Sequence, residues 1–271
     1  MPDWIAFAKF MDSVEEAKKG LSLRSHQDAF FRGHSKNTYT LLPSLFRQGY
    51  KTEQECWQME RRTFFEFRTL ARELFAPNWL DWDVLFHMQH HGVPTRLLDW
   101  TSVFGVALYF ALLDRPPDSD SVACVWLLNP YALNHATWST YNLFNPRYLA
   151  MDEKNNRSYD YGELLVGAHF EATSKNWGKL PWDKPLAIYD SQRSERMFAQ
   201  SGWFTIHGTD ANPLEKIYSD DHNILRKVDI PAAVIPAAKE FLVLAGIGHR
   251  QLFPGLDGLA KSVNERFAVP R

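Results

Sequence analysis

The chain has 271 residues, long enough to bury a sizeable core and within the reach of one mixed helix-and-sheet domain. Lys+Arg 30 against Asp+Glu 32 leave a formal net charge of -2, which excludes a bulk positive field for nonspecific polyanion binding but leaves a local basic groove open. Cys56 and Cys124 lie far apart with no CxxC, which argues against a disulfide framework and a thiolate metal site; with no leader-like N-terminus and no run near the ~20 apolar residues of a membrane span, the sequence reads as cytosolic, with no membrane partner.

Residues 3 to 19 carry Trp4, Phe7, Phe10, Met11 and Val14 at helical spacing and predict an amphipathic helix stopped by Gly20. "AFFRGHS" (29 to 35) reads as a strand whose apolar run ends at Gly33, and "YTLLPSLFR" (39 to 47) as an extended piece broken by Pro43. From Thr52 to Phe75 a Thr cap, Glu55 three residues later and the absence of Gly and Pro predict the longest helix. Phe64, Phe67, Leu70, Ala71 and Leu74 form its expected core face, and Glu60, Arg61, Arg62 and Arg68 lie on a solvated one.

Residues 82 to 91 predict a second helix stopped by Gly92 and Pro94, and "VFGVALYFALL" (103 to 113) a buried third. "SVACVWLLN" (121 to 129) is the clearest buried strand, ended by Asn129-Pro130. Residues 131 to 185 show no sustained period and read as an irregular excursion. Strands are expected at 185 to 190, 203 to 208 and 224 to 231, a helix at 236 to 248, and a last one in "DGLAKSVNERFA". With no repeat or linker, the whole chain, 1 to 271, is expected to be one α+β domain.

Arg32 ends an apolar strand before Gly33, and a fixed guanidinium fork there suits a phosphate or a pairing carboxylate. In "QHHGVPTRLLDWTS" (89 to 102), Asp99 or Thr101 can cap the helix that follows, whose N-terminal amides make an anion site, while Trp100 fills core or the cleft. Gln89, His90 and His91, even with His87, lack metal-ligand spacing, so no metal is expected. No GxSxG, GxxxxGK[ST] or HExxH occurs, which removes the main support for a nucleophile-elbow hydrolase, a P-loop enzyme and a zincin. Glu195, Arg196 and Gln200 precede a strand at Gly202, and Glu163 is a rival carboxylate.

"FFRGHS", "LLPSLFR", "QHHGVPTRLLDWTSVFGVALYFA", "RMFAQSGWF" and "LFPGLDGLA", in this order, resemble the FRG domain family, named for Phe31-Arg32-Gly33. The layout partially resembles the ADP-ribosyltransferase superfamily, which implies a split-sheet core flanked by helices and NAD as substrate. By that resemblance Arg32 clamps the pyrophosphate; Gly33, Gln89, His90, Arg96 and Trp100 surround the dinucleotide, with Gln89 and Arg96 ordering ribose or nicotinamide. Thr101 stands in the place of the transferases' serine or threonine. Where those enzymes carry a glutamate this chain has Gln200, so the acid must be Asp99, Glu195 or Glu163. The implied activity is NAD-dependent ADP-ribosylation of DNA, RNA or protein by a toxin or phage-defence effector with an antitoxin or defence-system partner. A noncatalytic nucleotide or nucleic-acid binding module and an NAD glycohydrolase are the rival readings.

Overall fold

The computed structural model describes residues 1–75, 79–113, 121–146, 160–170, 182–189 and 195–267. The chain opens with α1 (Trp4–Gly20), started by Asp3, whose carboxylate accepts from the Ile5 and Ala6 amides at 3.1 and 2.9 Å, satisfying two of a helix's orphan donors. β1 (Phe30–His34), α2 (Glu53–Leu70), α3 (Asp81–His90), β2 (Leu97–Thr101), α4 (Phe104–Leu112), β3 (Ala123–Leu128) and α5 (Pro130–Trp138) follow. β4 (Leu186–Ile188), β5 (Gly202–Ile206) and β6 (Leu225–Ile230) complete an antiparallel sheet of order β4-β5-β2-β1-β3-β6.

The register divides this sheet. β1 pairs with β3 along its whole length, from Phe30↔Leu128 to His34↔Cys124, and β2 pairs with β5 from Leu97↔Ile206 to Thr101↔Gly202. The two middle strands meet at one pair, Phe31↔Thr101. Three strands therefore lie on each side of a seam with little ladder across it.

Side chains alternate across a strand, so Phe31 shares a face with its partner Thr101 and, two and four residues back, with Asp99 and Leu97. On the β1 half of this face α1, α4 and the helix Ile235–Leu244 bury Phe7, Phe10, Leu108, Ala111 and Leu242 against Phe31, Val125 and Leu127. On the β2 half α2, α3 and the helix Tyr161–Phe170 bury Phe64, Trp82, Leu85 and Tyr161 against Leu97, Phe204 and Ile206. The seam thus lies beneath the parting of two helix layers. Phe30, Leu98, Trp100, Trp126 and Leu128 build the core of the opposite face with Leu133 of α5 and Tyr218.

Several expectations are corrected. Residues 97 to 101 form a strand, and neither Asp99 nor Thr101 is the cap of α4, which begins after Val103 without a side-chain cap. Gly33 lies within β1, opposite Val125. A Cβ there would stand 1.9 Å from the Ala107 carbonyl oxygen, so glycine is what lets α4 rest on the strand. The predicted helix from 52 to 75 ends at Leu70, with one 3-10 turn after it; Leu70 and Leu74 are exposed, whereas Glu60 is buried. The excursion at 131 to 185 contains α5 and the helix Tyr161–Phe170; its residues 147–159 and 171–181 lie outside the described ones.

Candidate functional site

A cavity of about 380 Å³ opens at the seam. β1 contributes Arg32 and His34, β2 contributes Asp99 and Thr101, α3 contributes Gln89 and His90, and the region from Glu195 to Gly202 adds Arg196 and Gln200. Phe86, Phe110, Met197 and Phe204 form apolar wall.

Arg32 occupies the place where a β1–β2 ladder would continue. Its Nη1 donates to the Asp99 carbonyl oxygen at 2.6 Å and lies 3.7 Å from Asp99 Oδ2. Its Nε donates to His34 Nε2 at 3.1 Å. That bond requires His34 to be an acceptor at Nε2, hence a neutral ring protonated at Nδ1. Burial, then the neighbouring Arg32 cation, pushes the His34 pKa down to about 3. Burial pulls Arg32 itself below its ordinary value, against the opposing Asp99 charge, and Arg47 adds to the lowering. Among the described residues Nε and Nη1 carry its hydrogen bonds, with the Asp99 carboxylate beside Nη1, and the other N–H donors can serve a ligand.

Asp99 is the one carboxylate lining the cavity among the described residues. Gln89 Nε2 donates to its Oδ2 at 2.8 Å, and the Gln89 carbonyl oxygen accepts from the Thr95 hydroxyl at 2.5 Å. Thr95 is buried, so it fixes which end of the Gln89 amide meets Asp99. His90 completes this wall; burial and then Arg196 lower its pKa.

Thr101 reaches the cavity with its hydroxyl already committed, and Gln200 with its side-chain nitrogen already bound. The Thr101 hydroxyl donates to the Gln200 carbonyl oxygen at 2.7 Å and accepts from the Val103 amide at 3.1 Å. It therefore secures the entry to α4 from a position two residues before the helix's cap. The Gln200 side chain donates to the Leu252 carbonyl oxygen at 3.0 Å, tying the short helix His249–Leu252 to the cleft.

The other expected site residues are held by structural contacts or lie outside the cavity. Arg96 is fully buried: its Nε donates to Glu60 Oε1 at 2.6 Å, its Nη2 to Glu60 Oε2, and its Nη1 to the carbonyls of His207 and Gly208 at 3.0 and 2.7 Å. Its guanidinium lies 4.4 Å from the Trp57 ring centroid, and the Tyr161 hydroxyl donates to the same Glu60 oxygen that accepts from Nε. Arg96 thus locks α2, β2 and the helix Tyr161–Phe170 together and does not line the cavity. Trp100 borders the cavity, but its indole is buried in the core of the opposite sheet face, where it donates to Thr205 Oγ1 at 3.0 Å. Gly33 borders the cavity, but its closest constraint is α4. Glu195 and Glu163 are exposed and do not line the cavity. Sequence reasoning missed His34, although strand alternation from Arg32 places it on the same face, and missed Tyr39, which is 49% exposed at the cavity's edge.

Fold and site together define an α+β protein with a cationic cleft at the seam of a divided antiparallel sheet. Residues 27–120, less than half of the chain, match the family model of the FRG domain. The match takes in Arg32, His34, Gln89 and Asp99 and stops short of Arg196 and Gln200. No curated protein and no solved structure matches the chain.

Proposed function

We propose that this protein is an NAD-dependent ADP-ribosyltransferase working in the seam cleft. The observation that carries the reading is the juxtaposition of Arg32 and Asp99, a guanidinium with unspent donors 3.7 Å from the only lining carboxylate among the described residues. The guanidinium fork suits a pyrophosphate. Asp99, steered by Gln89 and Thr95, faces the positive charge that develops at ribose C1′ as the bond to nicotinamide breaks. The electron pair of that bond leaves with the nicotinamide nitrogen, C1′ bonds to an oxygen or nitrogen of the acceptor, and the acceptor's proton passes to Asp99 and on to water. Division of the sheet into two three-stranded halves, with the arginine on an inner strand beside the seam, supports the resemblance to the transferases. Glu195 and Glu163 do not line the cavity, which favours Asp99 for the acidic role.

One observation favours a second reading, a noncatalytic nucleotide-binding module: Gln200 stands where a transferase glutamate is expected, and its amide is bound to a main-chain carbonyl. Incubating the purified protein with labelled NAD and cell extract separates the two. Transferase activity releases nicotinamide and labels a macromolecule, and Arg32→Ala and Asp99→Asn abolish both without changing the unfolding midpoint. Release with free ADP-ribose as sole product identifies a glycohydrolase. Nucleotide binding with no release identifies the module.

A further inference from the structure

Arg196 lines the cleft from the short helix Glu195–Ala199. Its guanidinium carbon lies 4.8 Å from the Phe253 ring centroid, and Phe253 is in turn stacked on His249 at 4.2 Å. No carboxylate pairs with Arg196 among the described residues. The stacking holds a cation in place while leaving its in-plane donors unspent. On the far side the exposed Arg47 ends the 3-10 turn Leu45–Arg47, which is tied to Thr95 behind Gln89 by the Leu45 amide donating to the Thr95 carbonyl oxygen at 3.0 Å, and its charge lowers the pKa of both Arg32 and His34. Tyr39 sits at the same edge, with Lys36 Nζ 5.7 Å from its ring centroid. Cations thus flank the cleft from two directions in a chain whose net charge is -2, and an exposed aromatic ring accompanies one of them.

We propose that the acceptor is a single-stranded nucleic acid, with backbone phosphates on Arg196 and Arg47 and a base stacked on Tyr39. This rests on the transferase reading for what is transferred, but its binding surface is separate from the Arg32–Asp99 pair. Lining a groove with cations and offering an aromatic face is how sequence-tolerant single-strand binding is built. A protein acceptor presenting Lys or Arg would meet like charges from Arg32, Arg47, Arg196 and Lys36 at this mouth. A phosphate on Arg196 could come instead from the dinucleotide, so the two sources need separate arms.

The test is fluorescence anisotropy of end-labelled 12-nucleotide single-stranded DNA and RNA, with polyglutamate as a competing polyanion and ADP-ribose titrated separately. The wild-type protein should bind at least one oligonucleotide, weaken as salt rises, and resist equal charge from polyglutamate. Arg196→Ala and Tyr39→Ala should each weaken oligonucleotide binding about tenfold, with Arg196→Lys retaining part of it and unfolding midpoints confirming intact folds. ADP-ribose affinity in the Arg196→Ala protein reports the other source: a loss there with oligonucleotide binding intact assigns Arg196 to the dinucleotide and overturns the proposal. Absence of oligonucleotide binding, equal displacement by polyglutamate, or unchanged binding in both alanine variants also overturns it. Oligonucleotide binding without ADP-ribose binding upholds this surface and retires the transferase reading.

Discussion

Replacing Arg96 by alanine should unfold the protein far more readily while leaving the cleft chemistry to Arg32. The guanidinium and the Glu60 carboxylate are almost wholly withdrawn from solvent, at 0% and 4% side-chain exposure. Burial opposes the charge on Arg96, and Glu60 with Tyr161 overcomes that effect and raises its pKa above the ordinary value. Alanine strands the Glu60 carboxylate and strips the carbonyls of His207 and Gly208 of a donor. Breaking one partner of a buried pair costs about 3–5 kcal/mol, which for a chain of this size lowers the melting temperature by roughly 10 °C. Urea denaturation followed by tryptophan fluorescence measures the loss, and ADP-ribose titration at a temperature where the variant remains folded measures binding. The double change Arg96→Met with Glu60→Leu should recover part of the loss, because an apolar pair leaves no stranded charge. An Arg96→Ala protein with the wild-type midpoint and lost ADP-ribose binding would refute this assignment and return Arg96 to the ligand.

Gly33→Ala should destabilise by about 1–3 kcal/mol or more, since its Cβ would meet backbone of α4 at 1.9 Å; a denaturation midpoint near wild type would show that α4 can shift. Thr95→Val keeps the shape and deletes the hydroxyl that orients Gln89, so nicotinamide release should fall about tenfold in kcat, with ADP-ribose affinity preserved and Thr95→Ser restoring the rate. Acid should weaken the fold between pH 6.5 and about 3. His34 and His207 are each pushed down to about 3 by burial, aided by Arg32 and Arg96 respectively, so the unfolded chain binds their protons first and stability drops as pH falls. Each contributes a slope approaching 1.4 kcal/mol per pH unit well inside that window. Asp81, raised to about 6 by burial and then Asp160, works the other way, losing its contribution as pH rises through about 6. Urea midpoints from pH 7 to 4 should therefore flatten in His207→Leu relative to wild type, and equal slopes would remove His207 from the account.

What the sequence made legible was what local pattern controls. The period of Phe7, Phe10 and Val14 announced α1, the apolar run at 121 to 129 announced β3, and Phe31-Arg32-Gly33 placed its arginine at the cleft. The Asn129-Pro130 step was read as a strand end, yet it also carries a helix start: the Asn129 side chain accepts from the Tyr131 and Ala132 amides, and proline occupies the first turn of α5. Glu60 was misread because a charged residue on a helix is usually solvated, and Arg96 because the resemblance assigned it to the dinucleotide; no local signal marks a partner 36 residues away. Asp99 was placed as a cap because Asp, Trp and Thr before an apolar helix fit that role. Pairing with β5 places all three in a strand. Gly33's constraint comes from α4, more than seventy residues on, and was equally invisible.

Titration of NAD into wild-type, Arg32→Ala and Asp99→Asn proteins, with nicotinamide release recorded on the same samples, tests the central claim most directly. Wild type should bind and release nicotinamide, Arg32→Ala should lose binding, and Asp99→Asn should bind with little release. Unchanged NAD binding in folded Arg32→Ala, or unchanged release in Asp99→Asn, would contradict the roles assigned to this cleft.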